Sequence, residues 1–340
     1  MKKTIAILSF CCFTGMAEAQ QQTLITNIVL HKYLYNPAFA GSTQGIEFNA
    51  TYRNQWAGFE GAPKNLAASG YGTLKKRPQM AVGGYVMSDK AGLIQRTMFA
   101  ASYSYHLKLN KNTSLGFGLS MGAAQYNVKA YSAKPFDKDD EFLKNDILNA
   151  NALDANSGFY LYNKKYFLGF SSTQMINSKI KWPNTNGRQT PHSYFNMGYN
   201  FVLDKKKKEW ILQPSILARF SKPSPYQLEA TLRGIYKEMA WVGFSYRTYK
   251  DEQWKGATMS VMLGTTIGKQ FTVAYAYDYA LSIMQQYSTG SHEIVFSYLL
   301  AAKKKKTASE KVMDADESEF NNIDNSMKTN LKNKKKGESK

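Results

Sequence analysis

The sequence predicts an all-β chain, a transmembrane outer-membrane β-barrel of about 14 antiparallel strands. Three observations predict it. The N-terminus reads as an export signal, about ten-residue segments alternate with period two, and short connections alternate with long ones.

The export signal comes first. Lys2 and Lys3 precede an uncharged stretch from Thr4 to Met16, and Ala17-Glu18-Ala19 supplies an A-x-A cleavage site. The apolar stretch is shorter than the roughly 20 residues a membrane-spanning helix needs. Cleavage after Ala19 is expected, with residues 20–44 as an N-terminal segment at the periplasmic mouth or inside the barrel. Cys11 and Cys12 both lie in the signal, so the mature chain is expected to carry no thiol or disulfide. Within residues 20–44, Ile25, Ile28, Val29, Lys32 and Tyr33 suit one side of a short helix ending before Asn36-Pro37.

From residue 45 the period is two. Ile46, Phe48, Ala50 and Tyr52 alternate with Glu47, Asn49, Thr51 and Arg53, and Phe99, Tyr103, Tyr105 and Leu107 alternate with Ala100, Ser102, Ser104 and His106. Fourteen strands are predicted near 45–55, 64–74, 79–88, 96–107, 113–126, 155–162, 165–173, 193–204, 209–220, 226–233, 239–248, 257–265, 270–279 and 291–301. Many have the length a tilted strand needs to cross a bilayer. Alternation alone fits a soluble β-core as well as a lipid-facing band. The connections separate the two. Lys75 to Pro78, Lys108 to Asn112, Asn163-Lys164, Lys205 to Lys208, Gly234 to Glu238 and Thr266 to Lys269 are short, and the intervening ones are mostly longer. Asn127 to Asp154 and Gln174 to His192 are the longest, and Ser221 to Pro225 is an exception. Short periplasmic turns and long external loops are expected of an outer-membrane barrel with both termini periplasmic. Trp182, Trp210, Trp241 and Trp254 fall near strand ends or in loops, as interfacial aromatics do.

After Leu300 the alternation stops. Residues 302–340 are expected to form a basic flexible periplasmic tail, opening with Lys303, Lys304, Lys305 and Lys306, a candidate contact for a partner or anionic lipid. The net charge of +19 is read as a surface property, since an exported protein does not meet nucleic acid. His31, His106, His192 and His292 are scattered, and no metal-ligand spacing or nucleophile motif is present, so no enzyme, cofactor or metal is expected. The polar residues of interest are Arg53, Arg219, Glu229, Arg233, Arg247, Asp278 and Glu293. A charge facing lipid is costly, so these are expected in the lumen, as bracing ion pairs or as binding or gating groups.

Several motifs resemble one family. They are Asn36-Pro37-Ala38-Phe39-Ala40-Gly41-Ser42, Tyr52-Arg53-Asn54-Gln55-Trp56, Glu60-Gly61-Ala62-Pro63, Gln213-Pro214-Ser215, Trp241 to Arg247, Tyr275 to Tyr279, and Gly290-Ser291-His292-Glu293-Ile294. Together they resemble the PorP/SprF membrane proteins of the type IX secretion system of Bacteroidota, with Phe39 where Tyr is more usual. The resemblance implies an outer-membrane component of secretion or gliding motility that binds an exported adhesin through its C-terminal sorting domain. It also implies periplasmic or lipoprotein partners among the other type IX components, and no catalytic residues. Alternatives at this level are a channel for small or hydrophobic solutes and a purely structural barrel.

Overall fold

The computed structural model describes residues 25–26, 30–43, 45–129, 148–182, 186–204, 209–222, 226–249 and 257–301. The signal segment, residues 130–147, Trp254 and the tail with Lys303 to Lys306 lie outside the described residues.

Strands begin at residue 45, where the period-two pattern starts. They are β1 (Gly45–Asn54), β2 (Lys64–Leu74), β3 (Arg77–Ala91), β4 (Ile94–Lys108), β5 (Ser114–Val128), β6 (Leu148–Tyr162) and β7 (Tyr166–Thr173). A small hairpin of β8 (Lys179–Lys181) and β9 (Asn186–Arg188) follows. Then come β10 (His192–Tyr199), β11 (Phe201–Val202), β12 (Trp210–Ser221), β13 (Gln227–Tyr236), β14 (Ala240–Tyr249), β15 (Thr258–Ile267), β16 (Phe271–Ala280) and β17 (Ser291–Ala301). β10 and β11 are two parts of one strand interrupted at Asn200, and both pair with β12. Neighbours pair antiparallel around the sheet. β1 meets β17 in the register Gly45↔Ala301, and β10 joins β7 to β12. The result is a closed barrel of fourteen antiparallel strands, with the β8–β9 hairpin outside the ladder.

Closure removes free strand edges, so the ladder satisfies its own backbone polar groups. The side chains then decide the solvent. Phe48, Phe99, Leu119, Met121, Phe244 and Leu263 are exposed, whereas Asn49, Thr51, Ser102, Ser104, Asn156, Ser245 and Ser260 are buried. A soluble barrel buries its apolar face. This one turns it outward and keeps its polar face inside, the arrangement of a wall standing in lipid.

The strands exceed the predicted bounds where the sequence is locally polar. β5 reaches Val128 and β6 starts at Leu148, so the ends of the expected 127–154 loop are ladder. Asn149, Asn151 and Asp154 masked this alternation, although Leu148, Ala150 and Ala152 on the inward face are buried. The turn between β3 and β4 is only Gly92-Leu93, a second exception to the loop rhythm beside 222–226. The expected 174–192 loop contains the β8–β9 hairpin. Among the described residues, the helix expected before Asn36 is one turn, α1 (Lys32–Tyr35), followed by a 3-10 turn at Pro37–Phe39.

Leu119 sits near the middle of β5 at 65% exposure. Leu119→Arg places a charge in the hydrocarbon and is expected to destabilise the inserted barrel by about 2–4 kcal/mol. Reversible unfolding in lipid vesicles measures it. Equal tolerance of Leu119→Arg and the inward Ser120→Arg would contradict the facing.

Candidate functional site in the barrel lumen

Period two puts Arg53, Glu293, Asp278, Arg247, Glu229 and Arg219 on the inward faces of six strands, near the ends away from the short turns. Their side chains meet. Arg53 reaches Asp278 Oδ2 at 2.6 Å and Glu293 Oε2 at 3.2 Å. Arg247 Nε donates to Glu229 Oε2 at 2.8 Å and its NH1 lies 4.0 Å from Asp278 Oδ2. Arg219 meets the same Glu229 oxygen at 3.4 Å and donates to Gln227 Oε1 at 3.3 Å. Three guanidinium groups thus face three carboxylates, and all six residues are buried. Such charges persist away from water only when paired and hydrogen-bonded.

A residue that the sequence reading missed stands at the centre. Thr26 Oγ1 donates to Asp278 Oδ2 at 2.7 Å and accepts from Arg53 NH1 at 2.7 Å and Arg247 NH2 at 3.5 Å. One donation and two acceptances use the full capacity of a hydroxyl. The Thr26 N–H also donates to Glu293 Oε2 at 2.7 Å. Nothing in sequence marks this threonine, because its partners Asp278 and Glu293 lie more than two hundred residues away.

Thr26 belongs to a strap, residues 25–26 and 30–43, that occupies the lumen. Within α1, Tyr33 Oη and Ser102 Oγ are 2.6 Å apart. Asn36 caps the 3-10 turn by accepting from Ala38 N at 3.0 Å, while its Nδ2 donates to Phe159 O at 3.0 Å. Pro37 suits the first position of that turn, which needs no N–H donor. Ser104 Oγ and His106 Nε2 each donate to Ala40 O at 2.6 Å, which fixes the proton on Nε2 and leaves Nδ1 to accept from Tyr162 Oη at 3.1 Å. Gly41 takes φ +88°, and a Cβ there would stand 2.7 Å from Ala81 Cβ. A Cβ on Gly118 would run into the backbone of Pro37 and Ala38. The glycines of Gly116-Phe117-Gly118 therefore make room for the strap.

The strap has a direction. Ala40 and Gly41 lie against Ser104, His106 and Ala81, toward the short-turn ends of β3 and β4. Thr26 lies at the opposite ends of β1, β14, β16 and β17. There Ile25 packs in one cluster with Ile180 of the β8–β9 hairpin, with Trp182 alongside. Trp182 meets Tyr126 edge-on at 6.4 Å, and Gln189 Nε2 donates to Tyr126 Oη at 3.4 Å. The hairpin folds inward over that end of the lumen.

Of the seven predicted polar residues, Arg233 stands apart. It donates to Gln213 Oε1 at 2.8 Å and stacks 5.2 Å from the Trp241 ring centre. Trp182 and Trp241 are thus interior groups and not interfacial aromatics; Trp210 is exposed. A further ion pair, Arg96 with Asp89 at 2.8 Å, escaped the reading, although both residues share the inward parity of their strands. Three of the family-like motifs meet at the rim: Gln55 N donates to Pro63 O at 2.9 Å, Trp56 N to Ser291 Oγ at 3.1 Å and Ala57 N to Gly290 O at 2.7 Å. Gly92 N donates to Gly61 O at 2.9 Å, and His292 Nδ1 lies 2.6 Å from Tyr275 Oη. Gly61 and Gly290 hold positive φ, and Tyr52 faces outward, exposed.

With this geometry established, comparison places the chain. Its residues 17–298 match the family described as "Type IX secretion system membrane protein PorP/SprF", and the chain belongs to that family. It is an outer-membrane β-barrel component of type IX secretion. Comparison with curated proteins gave no match. Among solved structures, the monoaromatic hydrocarbon channel CymD is similar at 10% identity, covering 81% of this chain and 94% of CymD with a TM-score of 0.50. The Pseudomonas putida toluene transporter TodX is similar at 9% identity, covering 83% of this chain and 95% of TodX with a TM-score of 0.46. At such identities the likeness concerns architecture alone.

Arg53→Met removes the guanidinium shared by Asp278 and Glu293 and is expected to cost about 3–5 kcal/mol, because it takes the closest counter-charge from two buried carboxylates. Arg53→Met combined with Asp278→Leu should recover part of the loss in urea unfolding; simple additivity would contradict coupling. Gly118→Val is expected to displace the strap and expose Lys32 to trypsin in the folded barrel. Resistance equal to that of the unsubstituted protein would show that the approach at Gly118 does not hold the strap.

Proposed function

We propose that this barrel is a receptor and anchor that binds an exported adhesin-like protein, through its C-terminal sorting domain, and helps deliver it to the cell surface. The observation that carries the reading is the occupied lumen. The strap with its buried Tyr33, Leu34 and Tyr35 runs through it, and the β8–β9 hairpin covers one end. A secretion component whose barrel interior is filled offers its rim and outer loops to a client, not a conduit for a folded chain.

In this reading the short turns face the periplasm and the long connections face outward. Gly45 and Ala301 are then periplasmic, whereas Ile25 and Thr26 sit at the external end of the lumen. The expected periplasmic placement of both termini thus applies to the ends of the barrel wall, and the segment preceding β1 runs outward from them. The rim built from residues 55–63, 281–293 and the β8–β9 hairpin is the surface offered to cargo. Residues 302–340, with Lys303 to Lys306, supply a periplasmic contact for other type IX or gliding components, lipoproteins or anionic lipid.

Two measurements test the proposal. Cysteines at Phe59 and Ile283 should react with an impermeant maleimide on intact cells, and cysteines at Lys111 and Lys269 should not; the reverse pattern would invert the orientation. Purification from native outer membranes should recover a large secreted protein bearing a sorting domain, and planar bilayers should show no stable conductance. An open, solute-conducting pore without a secreted partner would favour a channel instead.

A further inference from the structure

The strap carries one lysine, Lys32, into the lumen, and its surroundings are unlike those of the charge cluster. Residues 20–45 contain no Asp or Glu, so the strap brings no carboxylate with Lys32. Among the described residues Lys32 forms no ion pair, and neither does Arg233, whereas Arg53, Arg96, Arg219 and Arg247 each reach a carboxylate. The Lys32 ammonium has three N–H donors, and the one hydrogen bond shown is to Tyr160 Oη at 3.2 Å. The ring of Phe167 lies 3.5 Å from it, with Tyr160 and Phe39 at 5.5 and 5.6 Å. Arg233 Nε has no partner. Lys32 and Arg233 are both half-buried. A bound negative charge beside Lys32 would offset the proximity of the two cations.

Beside Lys32 is a cavity of about 30 Å³, partly lined by Ser171, Asn196, Ser215 and Thr231. Thr231 and Arg233 share the inward face of β13, and Ser215 and Gln213 share that of β12 across from them. The space is large enough for one or two waters and too small for an organic ligand. Its lining offers hydroxyl and amide donors beside the ammonium, whose other close contacts are the faces of the Phe167, Tyr160 and Phe39 rings.

We propose that the cavity beside Lys32 binds a single small monovalent anion of the halide class, which neutralises the strap where it crosses β12 and β13. The donor set is a cation, hydroxyls and an amide, with no carboxylate to repel the ion. The anion holds the middle of the strap as the arginine–carboxylate cluster holds Thr26.

The test uses the purified full-length barrel crystallised in bromide, whose anomalous scattering distinguishes it from water. An anomalous peak is expected beside Lys32 Nζ in the cavity, absent in Lys32→Met and weaker in Arg233→Gln. Ser215→Leu, which fills the cavity and leaves both cations, should also remove the peak if Lys32→Met fails to fold. In parallel, replacing a bulky sulfonate by chloride at constant ionic strength should raise the melting temperature of the unsubstituted barrel and not that of Ser215→Leu. A cavity without bromide in crystals that show bromide elsewhere, or a peak that persists in Lys32→Met, would overturn the proposal.

Discussion

Lipid offers no hydrogen bonds, and the rest of the structure depends on that fact. A β-sheet in a bilayer must close on itself, and here β10 closes it by joining β7 to β12 while β1 meets β17. Closure creates an interior lined by every second side chain. With fourteen strands that interior is too wide for the wall to fill alone and must hold water or protein. In this chain a good part is filled by protein, the strap from the residues that precede the first strand.

Filling a polar lumen differs from packing an apolar core. The strap is held by directed bonds at separated points: Thr26 within the arginine–carboxylate cluster, Tyr33 at Ser102, Asn36 at the carbonyl of Phe159, and Ala40 at Ser104 and His106. Between these points glycines bring it close to the wall. Balanced charges in the cluster make each member dependent on the others, so a fixed strap position specifies the wall's polar residues and is specified by them.

Much of the wall was legible in the sequence. The alternation in 46–53, 99–107 and 115–123 gave the strands, and the reluctance of lipid to take charge placed Arg53, Arg247, Asp278 and Glu293 inside together. Less legible were the ends of β5 and β6, where Asn149 and Asn151 face outward and Leu148, Ala150 and Ala152 inward, the reverse of the usual facing. Arg233 could not be separated from the cluster by sequence, because parity gives the face of a strand but not the height or the partner. Trp182 and Trp241 looked interfacial because tryptophan near a strand end is compatible with either surface.

The sequence by itself determined the local period, the strand number and which residues share a face, since these follow from the backbone repeat and the chemistry of neighbouring side chains. The outward placement of the apolar face was expected from the connections and the charged residues, and the exposure of Phe48, Phe99 and Leu263 shows it. Only the tertiary structure decided what fills the lumen. Thr26 meets Asp278 and Glu293 across more than two hundred residues, and contacts of that range depend on barrel closure and strand stagger, which no local pattern encodes.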